Sequence, residues 1–284
     1  MSQDSQHSTE TILNAALSTL PSSHLTHLIH SISAVFHRHL RRLAAVLSSQ
    51  TLFSLSLRHL QSLSLHHKSL LIARHLLSHL ALLNNHFTRR RTVSHAPPPT
   101  HYTKLRDLDA VLLLLLLCEI HHHDREFLHA PSSRWRLILR DYVSDSILKL
   151  SGFGGCSNGE ILVQFVESVG RCWNLVNVMG FGEGKEMGET AASAAAVVAL
   201  PSVEVGGGGE CVICKEEMEK GREVCELPCG HLFHWVCILR WLKKRNTCPC
   251  CRRRLPTDDV RREIERLLED LARIGGGGGS GGGL

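Results

Sequence analysis

Eight cysteine and histidine residues packed between Cys211 and Cys251 constrain this chain more than any other feature. In order they are Cys211, Cys214, Cys229, His231, His234, Cys237, Cys248 and Cys251, separated by the short gaps Cys-x2-Cys, Cys-x-His, His-x2-Cys and Cys-x2-Cys. Each gap is a knuckle that turns two side chains onto one ion. Tetrahedral Zn²⁺ accepts thiolate at about 2.3 Å and imidazole at about 2.0 to 2.1 Å. Four pairs therefore serve two zinc ions. The segment is too short and too polar to bury a sizeable core, so its folding free energy must come largely from metal, on the order of 10 to 16 kcal/mol per structural site. Removal of zinc is expected to unfold it. Cys225 and Cys250 fit no ligand position, because Cys250 lies only two positions from Cys248.

These residues resemble the RING-H2 class of RING-finger ubiquitin ligases, over roughly residues 210 to 254. In that family the pairs interleave as a cross-brace. The resemblance thus implies one ion on Cys211, Cys214, His234 and Cys237, and a second on Cys229, His231, Cys248 and Cys251. Ile213 in the first knuckle, Leu227-Pro228 before Cys229, Trp241-Leu242 in an expected helix, Pro249 in the last knuckle and Arg252 just after it match the family as well. The resemblance gives Ile213, Trp241 and Pro249 the role of an apolar patch that receives a ubiquitin-conjugating enzyme. It gives Arg252 the catalytic role of touching both that enzyme and ubiquitin. An exposed Trp beside Ile and Pro suits an interface hot spot, and a guanidinium fork can serve carbonyls on two partners. Taken singly, Trp241 also reads as a core residue and Arg252 as a solvated charge.

The 284 residues suffice for a larger domain beside the small zinc domain. Of the 11 cysteines, Cys118, Cys156, Cys172, Cys225 and Cys250 remain outside the zinc pattern. Scattered thiols beside thiolate ligands indicate a reducing compartment rather than a disulfide framework. The N-terminus lacks a basic start followed by an apolar core, so secretion is not expected. The longest apolar run, Ala110 to Cys118, is far short of the roughly 20 residues of a membrane span. It is read as a buried core helix.

From Thr11 to Arg106 the chain has no Asp or Glu and is rich in Ser, His and Leu, with apolar residues such as Leu25, Leu28, Ile29, Ile32, Val35 and Phe36 at helical spacing. An acid-free, Arg- and Ser-containing N-terminus is also the composition of an organelle transit peptide. Sustained amphipathic patterning favours a retained helical domain. Breaks are expected near Pro21, at 48 to 51, around His66-His67 and at Asn84-Asn85. Residues 1–10 are expected to be disordered, 11–180 a helical domain with a Pro-rich linker near 89–100, and 181–209 a flexible Ala/Gly linker. The zinc finger follows at 210–254, then an amphipathic helix at 257–274 and a Gly-rich tail at 275–284. Further helices are expected over 104–123, 132–150 and 160–179, where the charge balance turns acidic. His121, His122 and His123 invite a metal reading, but adjacent helical residues point in different directions. The other histidines are read as surface positions.

The expected fold is mostly α: an N-terminal helical domain, a C-terminal two-zinc cross-brace ββα domain and a trailing helix. As a ligase the chain would act as an enzyme without a covalent intermediate of its own, its partners being a ubiquitin-conjugating enzyme, ubiquitin and an unknown protein substrate. Nucleic acid is not an expected partner, since a basic helix face alone has low specificity. The alternative is a non-enzymatic, zinc-stabilised adaptor that binds protein or nucleic acid. A second resemblance rests on residues 10 to 21 (ETILNAALSTLP), residues 51 to 60 (TLFSLSLRHL) and a helical body ahead of a C-terminal RING. These look like the amyloplast-associated ligases of plant shoot gravitropism. That implies a plastid-bound protein whose zinc domain faces the cytosol and whose action runs through actin filaments.

Overall fold

The computed structural model describes residues 2–88, 104–126, 129, 131–151, 158–179, 189–206, 209–219, 221 and 223–276. They divide into two compact units. The first holds the described residues up to Met179 together with those from Leu267 onward, and the second holds the described residues from Glu189 to Arg266. The Pro-rich linker, Cys156 and the Gly tail beyond Gly276 lie outside the described residues.

The helical unit runs α1 (Ser2–Ser18), α2 (Ser22–Ser48), α3 (Gln50–Ser62), α4 (Leu65–Thr88), α5 (Leu105–His123), α6 (Ser132–Ser151) and α7 (Asn158–Val178). Helix α7 packs against α1, α4 and α2, while α5 packs against α3, α4 and α2. The core is leucine-rich, with Leu28, Ile32, Ile72, Leu80, Leu83, Leu113, Leu139 and Phe165 fully buried. The leucine run of α5 is a core helix as read, with Ala110, Val111 and Leu113 inaccessible. No described helix is long and apolar enough to cross a membrane. The acid-free helices find their acidic counterparts on α5. Arg42 donates to both carboxylate oxygens of buried Asp109, at 3.0 and 2.5 Å. His59 meets Asp107 at 3.1 Å.

Several boundaries differ from the sequence reading. Helix α1 begins at Ser2 rather than after a disordered decapeptide, and Thr9, Leu13 and Ala16 are buried along it. Asn84-Asn85 do not break α4. Leu83 and Phe87 are buried on one face, and that burial outweighs the propensity cost of Asn, under about 0.7 kcal/mol each. The break expected at His66-His67 falls just before them, where the Ser64 hydroxyl accepts from the His67 amide. The largest change concerns 189–206, expected to be a flexible linker. It forms a collar on the zinc unit, containing α8 (Ala194–Val198) and β1 (Ser202–Glu204). The amides of Ala192 and Ser193 donate to the carbonyls of Leu242 and Pro256, and the Asn246 amide donates to Thr190. Leu200 is buried in the unit's core, with Ala192, Val197 and Val203 packed around it. Satisfied backbone groups and this apolar burial order a segment whose composition alone suggests a tether.

The zinc unit continues with β2 (Gly209–Glu210), β3 (Glu217–Met218), β4 (Glu223–Glu226), β5 (Leu232–Phe233) and α9 (Trp235–Leu242). Strand β4 pairs antiparallel with β5 on one side and with β1 on the other, and β2 pairs with β3. The expected ββα core is thus present, widened by one strand from the collar. Helix α10 (Val260–Gly276) follows, its first amides capped by Asp259, whose carboxylate accepts from Arg262. Ile264, Leu267, Leu268 and Leu271 are buried along one face of it, and Val260 at its start is half-buried.

Candidate metal centres and docking groove

The first knuckle, Cys211 to Cys214, and the last, Cys248 to Cys251, are built alike. In each, the residue after the second cysteine takes a left-handed backbone, Lys215 at φ 64° and Arg252 at φ 58°. Its amide returns to the first cysteine's carbonyl, Lys215 to Cys211 at 2.7 Å and Arg252 to Cys248 at 3.0 Å. The first cysteine's amide in turn donates onward, Cys211 to Glu216 and Cys248 to Arg253, both at 2.9 Å. These closed rings of hydrogen bonds leave both sulfurs on one side. Between Cys229 and His231, Gly230 sits at φ 79°, which L side chains rarely adopt. Its amide donates to Leu227 and the Leu227 amide to His231, so the turn presents Sγ and imidazole together.

The result is two quartets. The ligand atoms of Cys211, Cys214, His234 and Cys237 lie within 4.8 Å of one another, as do those of Cys229, His231, Cys248 and Cys251. Nδ1 of His234 stands 3.3 Å from Cys214 Sγ, and Nδ1 of His231 stands 3.3 Å from Cys229 Sγ. A zinc tetrahedron with the usual bond lengths has edges of roughly 3.5 to 3.8 Å, so both quartets fit a zinc ion of Cys₃His coordination. The interleaving is that of the cross-brace. Burial beside other thiols pushes Cys229 up to about 12 and Cys237 up to about 11. Cys211 is held at about 7, because backbone amides favouring its thiolate outweigh its burial. A bound cation supplies the charge that lets such crowded sulfurs ionise together. Cys225 is buried in β4 among Val224, Phe233 and Ile238, and Cys250 is exposed; neither belongs to a quartet.

Beside the first quartet an open groove is lined by Ile213, Trp241, Arg240, Lys244, Arg245 and Glu189, together with Cys214 and Cys237. Ile213 and Trp241, which the resemblance assigns to one patch, both line it. Pro249 is half-buried and is not part of this lining, and Arg252 is exposed on the last knuckle. Trp241 is half-buried and its indole Nε1 donates to the Thr247 carbonyl at 2.7 Å, which fixes the ring's tilt. Sequence reasoning missed Arg245 and Glu189. The Arg245 guanidinium lies 4.8 Å from the centre of the Trp241 ring and pairs with Glu189, whose carboxylate it holds below its usual range. The spacing Trp241 to Arg245, one helical turn, was a legible signal; Glu189 arrives from the collar and was not.

A family model described as a Ring finger domain matches residues 209–252. The protein named E3 ubiquitin-protein ligase SGR9, amyloplastic, from Arabidopsis thaliana is 52% identical over 277 residues, covering 93% of this chain and 95% of the relative. The chain belongs to the RING-type E3 ubiquitin-protein ligases. Two further RING relatives match over shorter lengths. The E3 ubiquitin-protein ligase RNF181 homolog of Drosophila melanogaster is 48% identical over 28% of this chain and 59% of its own length. The E3 ubiquitin-protein ligase RNF181 of Danio rerio is 43% identical over 26% of this chain and 55% of its own. The similarity to the SGR9 protein extends through the helical unit as well as the RING.

His121, His122 and His123 lie exposed at the end of α5, and His123 faces Glu119 one turn back at 3.5 Å. They join none of the metal-capable groups found among the described residues.

Proposed function

We propose that this RING ligase holds a ubiquitin-charged conjugating enzyme in the groove of Ile213 and Trp241, with Pro249 at its margin and Arg252 reaching toward ubiquitin. A substrate lysine attacks the thioester carbonyl, the isopeptide bond forms, and the conjugating enzyme's cysteine leaves as the thiol. The chain supplies positioning and no nucleophile. Ordering a mobile thioester in a near-attack geometry is the kind of gain that proximity provides. The two quartets are closed structural sites with no open coordination position for water. Their task is to fix α9 and the knuckle around the groove.

The observation that carries this reading is the meeting of Ile213 and Trp241 over the first quartet, with a ring tilt fixed by the Thr247 carbonyl. The test is autoubiquitination by the purified chain with a panel of conjugating enzymes. Trp241→Ala, with zinc content retained, and Cys229→Ser, which opens the second quartet, should each abolish transfer. Unchanged transfer by zinc-loaded Trp241→Ala would refute the groove as the docking site, whereas no transfer by a folded, zinc-loaded wild type with any conjugating enzyme would favour the zinc-stabilised adaptor.

The name of the Arabidopsis relative places it in amyloplasts, and we carry that location to this chain with the RING facing the cytosol, where conjugating enzymes and ubiquitin reside. Substrate selection falls to the helical unit, and an action on plastid dynamics through actin filaments in shoot gravitropism rests on the resemblance of residues 10 to 21 and 51 to 60. A fluorescent fusion that resisted external protease on isolated plastids would contradict the orientation.

A further inference from the structure

A third group of metal-capable side chains lies in the helical unit, away from the RING residues in sequence and chemistry. His75 and His79 stand one turn apart on α4, and His39 meets them from α2. The ring centres are 4.5 Å apart for His75 and His79, 5.2 Å for His39 and His75, and 5.8 Å for His39 and His79. The three ligand nitrogens lie within 4.8 Å of one another. His75 and His79 are only 6% and 4% exposed, where the sequence reading places surface histidines. Phe165 closes one side, its ring 5.6 Å from His79, and Phe36 packs on Phe165 at 6.3 Å. Three imidazoles set against aromatic rings in a leucine core are costly unless their nitrogens are used.

Two features prepare the nitrogens for an ion. Nδ1 of His79 contacts the His75 carbonyl at 2.9 Å, and as the donor there it leaves the lone pair on Nε2. Such a carbonyl partner is the usual orienting contact of a metal-bound histidine. Burial also keeps the rings neutral, the form that ligates: His39 is pushed down to about 4 by burial and by nearby His79 and Arg38, and His75 and His79 are lowered as well. A pair of histidines at i and i+4 on one helix, completed by a third from a neighbouring helix, is a recognised zinc arrangement.

We propose that His39, His75 and His79 form a further metal site that takes zinc, or another borderline divalent ion such as cobalt, through three imidazole nitrogens and clamps α2 to α4. The fourth position falls to water on the side of half-buried His39. With no anionic ligand and with Arg38 close by, this ion is held more weakly than the thiolate-bound pair, so a chelator removes it first.

The test uses the untagged full-length chain, loaded with zinc and freed of excess, with metal counted by mass spectrometry. The expected result is one equivalent beyond the RING pair, lost in His75→Ala/His79→Ala and equally in His39→Ala. His39 is half-buried, so the helical circular-dichroism signal of that single variant should be unchanged. Cys229→Ser should lose RING zinc and keep the additional equivalent. Cobalt substitution separates the sites independently of any variant: the RING gives thiolate charge-transfer bands, whereas an all-imidazole site adds visible ligand-field absorption without them. A wild-type chain that carries only the RING equivalents, or a His39→Ala chain that is folded and retains the additional one, overturns the proposal.

Discussion

Gly230 offers a graded test of how the second zinc site is held. Its φ of 79° places the turn between Cys229 and His231 in the left-handed region, and a methyl group added there has no neighbour within 4 Å. The cost of Gly230→Ala is therefore conformational rather than steric. A non-glycine residue in that region costs about 1 to 2 kcal/mol, and the native turn exists to present Cys229 and His231 to one ion. The loss should appear in metal affinity as about 5- to 30-fold weaker zinc binding at this site. Asn enters the left-handed region more readily than Ala, and a β-branched residue less readily. Gly230→Asn should therefore bind zinc more tightly than Gly230→Ala, and Gly230→Val more weakly than either. Competition against a chromogenic chelator ranks the three, with ubiquitin transfer as a second readout. Equal affinities for Gly, Ala, Asn and Val would refute the reasoning, as would an order that follows side-chain size alone.

Other expectations come from packing and charge. Asp109→Ala should destabilise the helical unit by about 2 to 4 kcal/mol, because it strands the Arg42 guanidinium at a buried pair; the lower part of the range allows for Arg42 being 30% exposed, and urea unfolding of the full chain reads it. Cys172 in α7 is pushed up to about 12 from 9 by burial, so its folded form resists ionisation. Its contribution is intact below pH 9 and is lost as the pH rises toward 12, reaching about 2 kcal/mol by pH 10.5. In Cys172→Ala the alkaline loss of stability should be shallower by that amount. A RING fragment beginning at Gly209, stripped of the collar, should melt below one beginning at Glu189, since it forfeits the burial of Leu200, about 1.5 to 3 kcal/mol, and the pairing of β1. Equal melting temperatures would return 189–206 to the status of a linker.

The ligand pattern was legible because zinc knuckles are local: the residues that share a turn also share an ion. Helices α5, α6 and α7 were legible for a similar reason, their apolar spacing and flanking glycines lying within a single window. What escaped depends on distant partners. Ala192, Val197 and Leu200 look like linker composition until Leu242, Pro256 and β4 supply their hydrogen bonds and cover. The i and i+4 spacing of His75 and His79 was visible, but His39 comes from another helix, and nothing local marks three scattered histidines as neighbours. Asn84 and Asn85 carry turn propensity, but the burial of Leu83 and Phe87 beside them, which no local pattern reveals, keeps the helix intact.

Strand β1 is paired to a sheet whose other strands sit among zinc-dependent knuckles, and Ser202 Oγ also accepts from the Trp235 indole at 2.9 Å. Metal therefore controls reach as well as shape. While the RING is folded, residues 189–206 are taken up against its surface. When it unfolds, those 18 residues are released as slack that can extend by up to roughly 60 Å. Chelating the protein would switch off transfer and, in the same event, pay out a leash.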